Sequence, residues 1–245
     1  MKLLKAMAIA FSIYSKIPVP QFEWKEEDME YMMCFFPWIG GVIGLFFFGW
    51  AVLCEKFAVG NVCYALIGAA IPLMISGGFH VDGYMDTMDA FHSYQSREKK
   101  LEILKDSHIG AFAAIMLALY YMIDIAAISE IHTQKAVSAL AAVFFLARCF
   151  SGIAVMTLQP AKKEGLLYTF ASSAQKVRVK AALYFQAALC VVLMLLVSGW
   201  YGAAAIGAAL LSFFYFKKKS YKELGGITGD TAGFFVTVCE AAAAA

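Results

Sequence analysis

Charged residues are scarce in this sequence. Asp, Glu, Lys and Arg make up 16% of the 245 residues, whereas hydrophobic residues make up 62%. A typical soluble domain has about 25% charged residues and about 45–50% apolar ones, so the composition excludes that class. There are only five prolines, and no linker rich in glycine or serine interrupts the chain. We therefore predict one domain over 1–245.

The sequence also lacks cysteine pairs. Its six cysteines are scattered through apolar segments without any CxxC spacing, and its four histidines show no metal-ligand spacing. Such cysteines are typical of small buried hydrophobes, which argues against both a disulfide framework and a zinc site.

The N-terminal apolar run lacks a small-residue cleavage site, although Lys2 and Lys5 precede it as in a signal peptide. Its 17 residues are short for a membrane crossing. A re-entrant or interfacial helix is as well supported here as a spanning one.

Long apolar runs are abundant. A helix needs about 20 apolar residues to cross a ~30 Å hydrocarbon core. We predict an all-α, polytopic membrane bundle of about six to seven transmembrane helices, with a short amphipathic cytoplasmic helix carrying Leu101, Leu104 and His108 on one face. The last helix starts near Asp230, and the other predicted spans cover 32–54, 57–79, 110–128, 136–158, 181–198 and 200–216.

Basic residues are concentrated in three loops, and the loops between them contain only Lys56 and Lys135. By the positive-inside rule, the three basic loops lie in the cytoplasm. They carry Arg97, Lys99, Lys100 and Lys105; Lys162, Lys163, Lys176, Arg178 and Lys180; and Lys217, Lys218, Lys219 and Lys222.

Three aspartates follow one another in the segment HVDGYMDTMDAF. Asp82, Asp86 and Asp89 are spaced by four and three residues, which puts them on one helix face. Two unit charges ~6 Å apart at an effective dielectric of ~20 repel by roughly 3 kcal/mol. Hard oxygen ligands without cysteine favour Mg²⁺ or Mn²⁺ as the neutralising ion. The plainer alternative is a solvated polar helix end.

Other polar residues stand beside or inside apolar runs. Asp106 precedes a span as an N-cap would. Arg148 lies within AAVFFLARCFSGIAV, where its insertion costs at least ~2.5 kcal/mol, so it should hold a carboxylate or a substrate phosphate. His80 is either a proton shuttle or a simple interfacial histidine. In LGGITGDTAGFF, glycines precede a helix start that suits a phosphate, and Asp230 could cap that helix or reach a metal.

Together these features favour metal-assisted transfer chemistry on a phosphorylated substrate. One rival is a cation- or proton-coupled transporter whose acidic face lines an ion path. Another is an intramembrane prenyltransferase, which should have a second aspartate-rich helix. Only the isolated Asp106 and Asp230 are available for that purpose.

The segments GGFHVDGYMDTMDAF, LEILKDSHIGAF and LGGITGDTAG closely resemble the cobalamin synthase family, the adenosylcobinamide-GDP ribazoletransferases. FSIYSKIPVP and FPWIGGVIG resemble its N-terminal pattern, so the likeness covers almost the whole chain in order. It implies transfer of the adenosylcobinamide phosphate from adenosylcobinamide-GDP to α-ribazole or its 5′-phosphate. GMP would leave, and adenosylcobalamin or its 5′-phosphate would form. It also implies Mg²⁺ dependence and a place in the bacterial cytoplasmic membrane, with the active site facing the cytoplasm.

The resemblance also implies roles for individual residues. One departure is His108, where the family often has Arg. The aspartates also resemble those of the CDP-alcohol phosphotransferases, but an alanine–arginine context is missing, so that likeness is a chemical analogy. Membrane lipid is a further expected partner, nucleic acid is not, and a homo-oligomer is left open. The implied metal ligands are Asp82, Asp86, Asp89, Asp106 and Asp230; the implied catalytic residues are His80 and the three clustered aspartates; the phosphate-binding candidates are Arg148, Lys162, Lys163, Gly226 and Gly229.

Overall fold

The computed structural model describes residues 2–20, 23–162 and 164–245, and in these ranges the fold is all-α, as predicted. Two short 3₁₀ helices, Glu26–Met29 and Met32–Cys34, follow the first helix. No strand occurs in the described ranges beyond one isolated bridge between Pro160 and Ile227. The helices are α1 (Lys2–Tyr14), α2 (Phe36–Phe57), α3 (Asn61–Ser76), α4 (Phe79–His92), α5 (Arg97–Ile103), α6 (Ala111–Ile128), α7 (Gln134–Thr157), α8 (Leu166–Ser173), α9 (Lys176–Ser198), α10 (Trp200–Leu224) and α11 (Gly229–Ala244).

Four of the described helices, α2, α6, α7 and α9, are long and apolar enough to cross a membrane. A fifth span results if α3 and α4 are counted as one broken helix. Helices also form where the remaining spans were expected, but the number of six to seven crossings stays a prediction. The 13 residues of α1 extend only about 20 Å at 1.5 Å per residue, which favours the interfacial or re-entrant interpretation.

The predicted span 57–79 is interrupted by two glycines. Gly77 and Gly78 have φ values of 67° and 85°, which glycine adopts without the steric cost that a side chain brings. The amide of Gly77 still donates to the carbonyl of Leu73, which closes α3. The chain then bends by 97° into α4, so the aspartate-bearing helix turns away from the line of α3.

Helix α7 forms the centre of the bundle, with most of its side chains buried among α2, α9, α10 and α11. Large apolar side chains remain exposed on the outer helices, for example Phe46 on α2 and Leu196 on α9. Apolar surface of this extent on the outside is what a lipid-facing bundle presents.

Small residues allow α2 to approach α7 closely. A Cβ atom added to Gly40 would lie 2.0 Å from the carbonyl oxygen of Phe144, and one added to Gly44 would lie 2.1 Å from that of Ala141. Backbone atoms cannot move aside as a flexible side chain can. The Gly40–Gly44 pair therefore sets the distance between these helices, as small residues four apart do in membrane bundles.

We expect Gly44→Ala to destabilise the protein because the added methyl group must push α2 away from α7. Overpacking of this kind costs about 1–3 kcal/mol. The matched control is Gly49→Ala on the same helix, where a Cβ atom meets nothing within 4 Å. Thermal unfolding in detergent should give a lower midpoint for Gly44→Ala alone. Equal midpoints for the two variants would contradict the close contact.

The predicted short helix after the aspartates is confirmed as α5. Its polar side is held by an ion pair between Lys100 and Glu223 of α10, with 2.5 Å between nitrogen and oxygen. Leu104 and Leu224 are buried together beside it. The prediction that His108 shares the helix face is wrong, because α5 ends at Ile103.

Candidate active site

Helix α4 packs directly on α11, and glycines make the approach possible. A Cβ atom on Gly83 would lie 2.8 Å from the carbonyl oxygen of Asp230, and one on Gly233 would lie 3.2 Å from that of His80. Asp82 adjoins Gly83 in the chain. The contact therefore brings Asp82 beside Asp230, although the two residues are far apart in the sequence.

The glycine-rich segment before α11 has a structural use at two positions. Gly225 ends α10 in the left-handed region with φ of 71°. Gly226 is buried, and a Cβ atom there would lie 2.6 Å from the carbonyl oxygen of Gln159. Gly229, in contrast, is exposed and opens α11.

The N-cap of α11 is Thr228. Its hydroxyl accepts a hydrogen bond from the amide of Thr231 at 3.1 Å, and its own amide donates to the hydroxyl of Thr231 at 2.8 Å. The alternative of Asp230 as the cap is therefore wrong. Asp230 instead lies half-buried in the first turn, where the positive end of the helix dipole favours a carboxylate.

A cavity of about 550 Å³ opens at the junction of α4 and α11. Five of the predicted site residues line its polar wall. Lys105 and Glu164, which were not predicted as site residues, line it as well. Asp86, Asp89, Asp106, Arg148 and Gly226 are not part of the wall. Asp82 also borders a second cavity of about 520 Å³, between α1, α3 and α6. The five that line the first cavity are His80, Asp82, Lys162, Gly229 and Asp230.

The four carboxylates of α4 and α11 form a loose acidic group. Asp86 is close enough to Asp82, Asp89 and Asp230 for their charges to repel its own. The carboxylate of Asp89 lies against Gly110, where an added Cβ atom would be 2.1 Å from both of its oxygens. Within the described ranges, no three His, Cys, Asp or Glu side chains come together tightly enough to hold a metal as they stand. The donors are nevertheless all hard oxygens, which suit Mg²⁺.

Asp106 does not line the cavity, and it is not among the carboxylates whose charges act on Asp86. Its carboxylate accepts hydrogen bonds from the amide of His108 at 3.0 Å and from the Nδ1 of the same residue at 2.6 Å. These bonds hold the pKa of Asp106 below its usual range. The N-cap of α6 is Gly110, so the expectation that Asp106 caps this span is wrong.

Two lysines reach the cavity from separate loops. Lys162 donates to the carbonyl of Leu101 at 3.1 Å, and its partial burial lowers its pKa, against the opposing effect of Asp230. Lys105 pairs with Glu164 at 2.5 Å. Lys163 lies outside the described residues.

The intramembrane Arg148 has a protein partner. Its guanidinium donates to Glu240 at 2.6 Å and to the carbonyl of Phe144 at 2.7 Å, and only 1% of the side chain is exposed. Of the two anions expected for Arg148, the structure thus contains the carboxylate. Glu240 and the neighbouring Asp124 were not singled out from the sequence. The sequence did contain a hint of Glu240, because a buried arginine needs an anionic partner. Glu240 is the only acidic residue of α11 beyond its first turn.

Comparison with known proteins identifies the family of the chain. The family model described as cobalamin-5-phosphate synthase matches residues 6–245. The chain belongs to the cobalamin-5-phosphate synthase family.

Relatives of this family share most of their length with the chain. The adenosylcobinamide-GDP ribazoletransferase of Lachnoclostridium phytofermentans is 44% identical, over 98% of this chain and 92% of its own. The proteins of the same name from Clostridium botulinum strain Alaska E43 and Geotalea daltonii are 31% and 30% identical, over 97% and 94% of this chain and 94% and 92% of their own. No solved structure matches. These matches confirm the resemblance and the predicted class of enzyme.

Proposed function

We propose that the chain is a Mg²⁺-dependent adenosylcobinamide-GDP ribazoletransferase. It would pass the adenosylcobinamide phosphate to α-ribazole or to its 5′-phosphate and release GMP. The observation that carries this proposal is the cavity wall on which Asp82, Asp230 and Lys162 converge from three separate segments. Carboxylates and ammonium groups side by side are what a metal-bound diphosphate requires.

The metal would be held by the aspartates of α4 together with Asp230. Their oxygens are the donors that Mg²⁺ prefers. A bound cation would also offset the repulsion between their negative charges. When bound, the ion neutralises charge on the diphosphate as the phosphoryl group transfers. We do not include Asp106 in this group, because its carboxylate accepts two hydrogen bonds from His108. Its role as a metal ligand stays a prediction from the sequence.

The protein residues would orient the two substrates. Lys162 and Lys105 line the cavity and would hold phosphate oxygens, and the start of α11 at Gly229 presents the positive end of a helix dipole. An acceptor hydroxyl forms the new bond to the phosphorus on the corrinoid arm. The bond from that phosphorus to the GMP oxygen breaks, and GMP leaves.

The proton of the attacking hydroxyl needs an acceptor. His80 lines the cavity, and neither of its ring nitrogens has a hydrogen-bond partner within the described ranges. A neutral imidazole in this position can accept the proton, as can a carboxylate of the acidic group. We place this chemistry at the cytoplasmic face of the bacterial cytoplasmic membrane, because Lys105 and Lys162 belong to two of the three basic loops.

Turnover by the purified full chain in liposomes tests the proposal. Adenosylcobinamide-GDP is supplied with α-ribazole or its 5′-phosphate, and the cobalamin product and GMP are followed by chromatography. We expect equimolar product and GMP with Mg²⁺, and loss of both after chelation with EDTA and their return on adding Mg²⁺. A folded preparation that forms no product would refute the transferase proposal. Full turnover in EDTA would refute the metal requirement alone.

A further inference from the structure

The cavity has a second wall that the proposed chemistry leaves unused. Four aromatic rings form it, and we call them the aromatic wall: Tyr14 of α1, Phe36 of α2, Phe79 of α4 and Phe170 of α8. Each ring comes from a different helix, so the wall is assembled only in the folded bundle. It lies in the same cavity as Asp82 and Asp230.

The rings are arranged around Tyr14. Its centroid is 4.5 Å from that of Phe36, 5.0 Å from that of Phe79 and 6.2 Å from that of Phe170. Tilted and edge-to-face pairs at these separations fix the orientation of each ring. Phe79 keeps 37% of its surface exposed, whereas the other three are buried.

His80 joins the aromatic wall to the acidic group. Its ring lies nearly parallel to that of Tyr14, with an interplanar angle of 6° and a centroid separation of 6.1 Å. The residue is 5% exposed, and both ring nitrogens lack a partner within the described ranges. A buried polar group without a partner is costly, so this imidazole points to a ligand that supplies one.

We infer that the aromatic wall binds the flat heteroaromatic base of the acceptor nucleoside, with the sugar towards His80 and Asp82. This inference rests on the proposed function, under which the base is the dimethylbenzimidazole of α-ribazole. That base is apolar except for one unsubstituted ring nitrogen, and the aromatic wall is apolar except for the hydroxyl group of Tyr14. Guanine, the other base in the reaction, carries several donors and acceptors, and the single hydroxyl of Tyr14 would leave most of them unpaired.

The test compares the binding of the two substrates in Phe79→Leu and Phe170→Leu. The matched control is Phe213→Leu, whose ring packs against Phe150 and Phe235 and does not line the cavity. Loss of base–aromatic stacking is expected to raise the KM for α-ribazole roughly 10-fold or more in the two wall variants. The KM for adenosylcobinamide-GDP should stay within about 2-fold of the wild-type value. The control should change neither KM.

Direct binding separates this inference from the proposed function. Titration of the metal-free protein with α-ribazole should give a Kd that rises in Phe79→Leu and Phe170→Leu but not in Phe213→Leu. An unchanged Kd in folded wall variants overturns the inference, and so does a rise in KM for the corrinoid substrate alone. If the wild type forms no product yet binds α-ribazole in this wall-dependent way, the proposed function fails and the base site stands.

Discussion

Asp82→Asn is expected to lower the rate of GMP release by roughly 10²–10³-fold while leaving the protein folded. The side chain is exposed to the cavity, so its replacement by an isosteric amide removes charge without disturbing packing. An amide is a poor ligand for Mg²⁺ beside the two to three carboxylates that remain. We expect Asp230→Asn to have an effect of the same order, because it contributes to the same wall from α11.

Single-turnover measurements at saturating substrate give the size of this effect. Glu130→Gln, on the exposed connection between α6 and α7, is the control for loss of one acidic charge. Asp106→Asn should cost much less than Asp82→Asn, since Asp106 lies outside the cavity wall. Wild-type rates for both Asp82→Asn and Asp230→Asn would contradict the site. A large loss in Asp106→Asn would bring back its predicted role as a ligand.

Metal binding gives a second measurement that does not depend on turnover. Mn²⁺ can replace Mg²⁺ at hard oxygen sites and is detected by electron paramagnetic resonance. We expect Asp82→Asn to weaken the binding of Mn²⁺ at least 10-fold, and Glu130→Gln to leave it unchanged. A variant that loses activity yet binds Mn²⁺ normally would assign Asp82 to substrate positioning.

Local features of the site were predictable from the sequence. The spacing of Asp82, Asp86 and Asp89 depends only on helix geometry, and α4 places them as expected. The glycine-rich start of α11 was likewise visible as a pattern. The remaining site residues and the activity were predicted from the family resemblance. That resemblance depends on the order of motifs along the chain, which can be recognised without knowing any contact between them.

Contacts between helices were not predictable in the same way. Apolar side chains cover most faces of these helices, so periodicity does not show which face meets protein and which meets lipid. Whether Asp82 meets Asp230 depends on Gly83, whose missing side chain lets the two helices touch. The bend at Gly77 and Gly78 was likewise not predictable, because a membrane span can tolerate two adjacent glycines. Only their positive φ values show that the helix is broken there.

The aromatic wall illustrates the same limit. Its four rings lie on four helices, and in the sequence each one is an ordinary apolar residue of its own segment. Tyr14 also gives α1 a defined place in the molecule, although the helix is too short to span. The segment that the sequence left open between crossing and interfacial is thus part of the cavity.

Arg148→Met is expected to cause the largest loss of stability, about 3–5 kcal/mol. Arg148 and Glu240 are buried and bonded to each other, so removing the guanidinium leaves a carboxylate in apolar surroundings. The midpoint of thermal unfolding in detergent should fall by about 10 °C or more. Leu146→Met, also buried on α7, is the matched control and should shift the midpoint only slightly.

The double variant Arg148→Met, Glu240→Met decides between a structural and a substrate-binding role for the arginine. Replacing both charges of a buried pair with apolar groups is often neutral, so the double variant should unfold near the wild-type midpoint. If the pair only joins α7 to α11, activity returns with stability, and the KM for adenosylcobinamide-GDP is unchanged. If Arg148 also holds a substrate phosphate, the double variant is stable but keeps a raised KM. Because Arg148 lies outside the cavity wall and already has Glu240, we expect the first result.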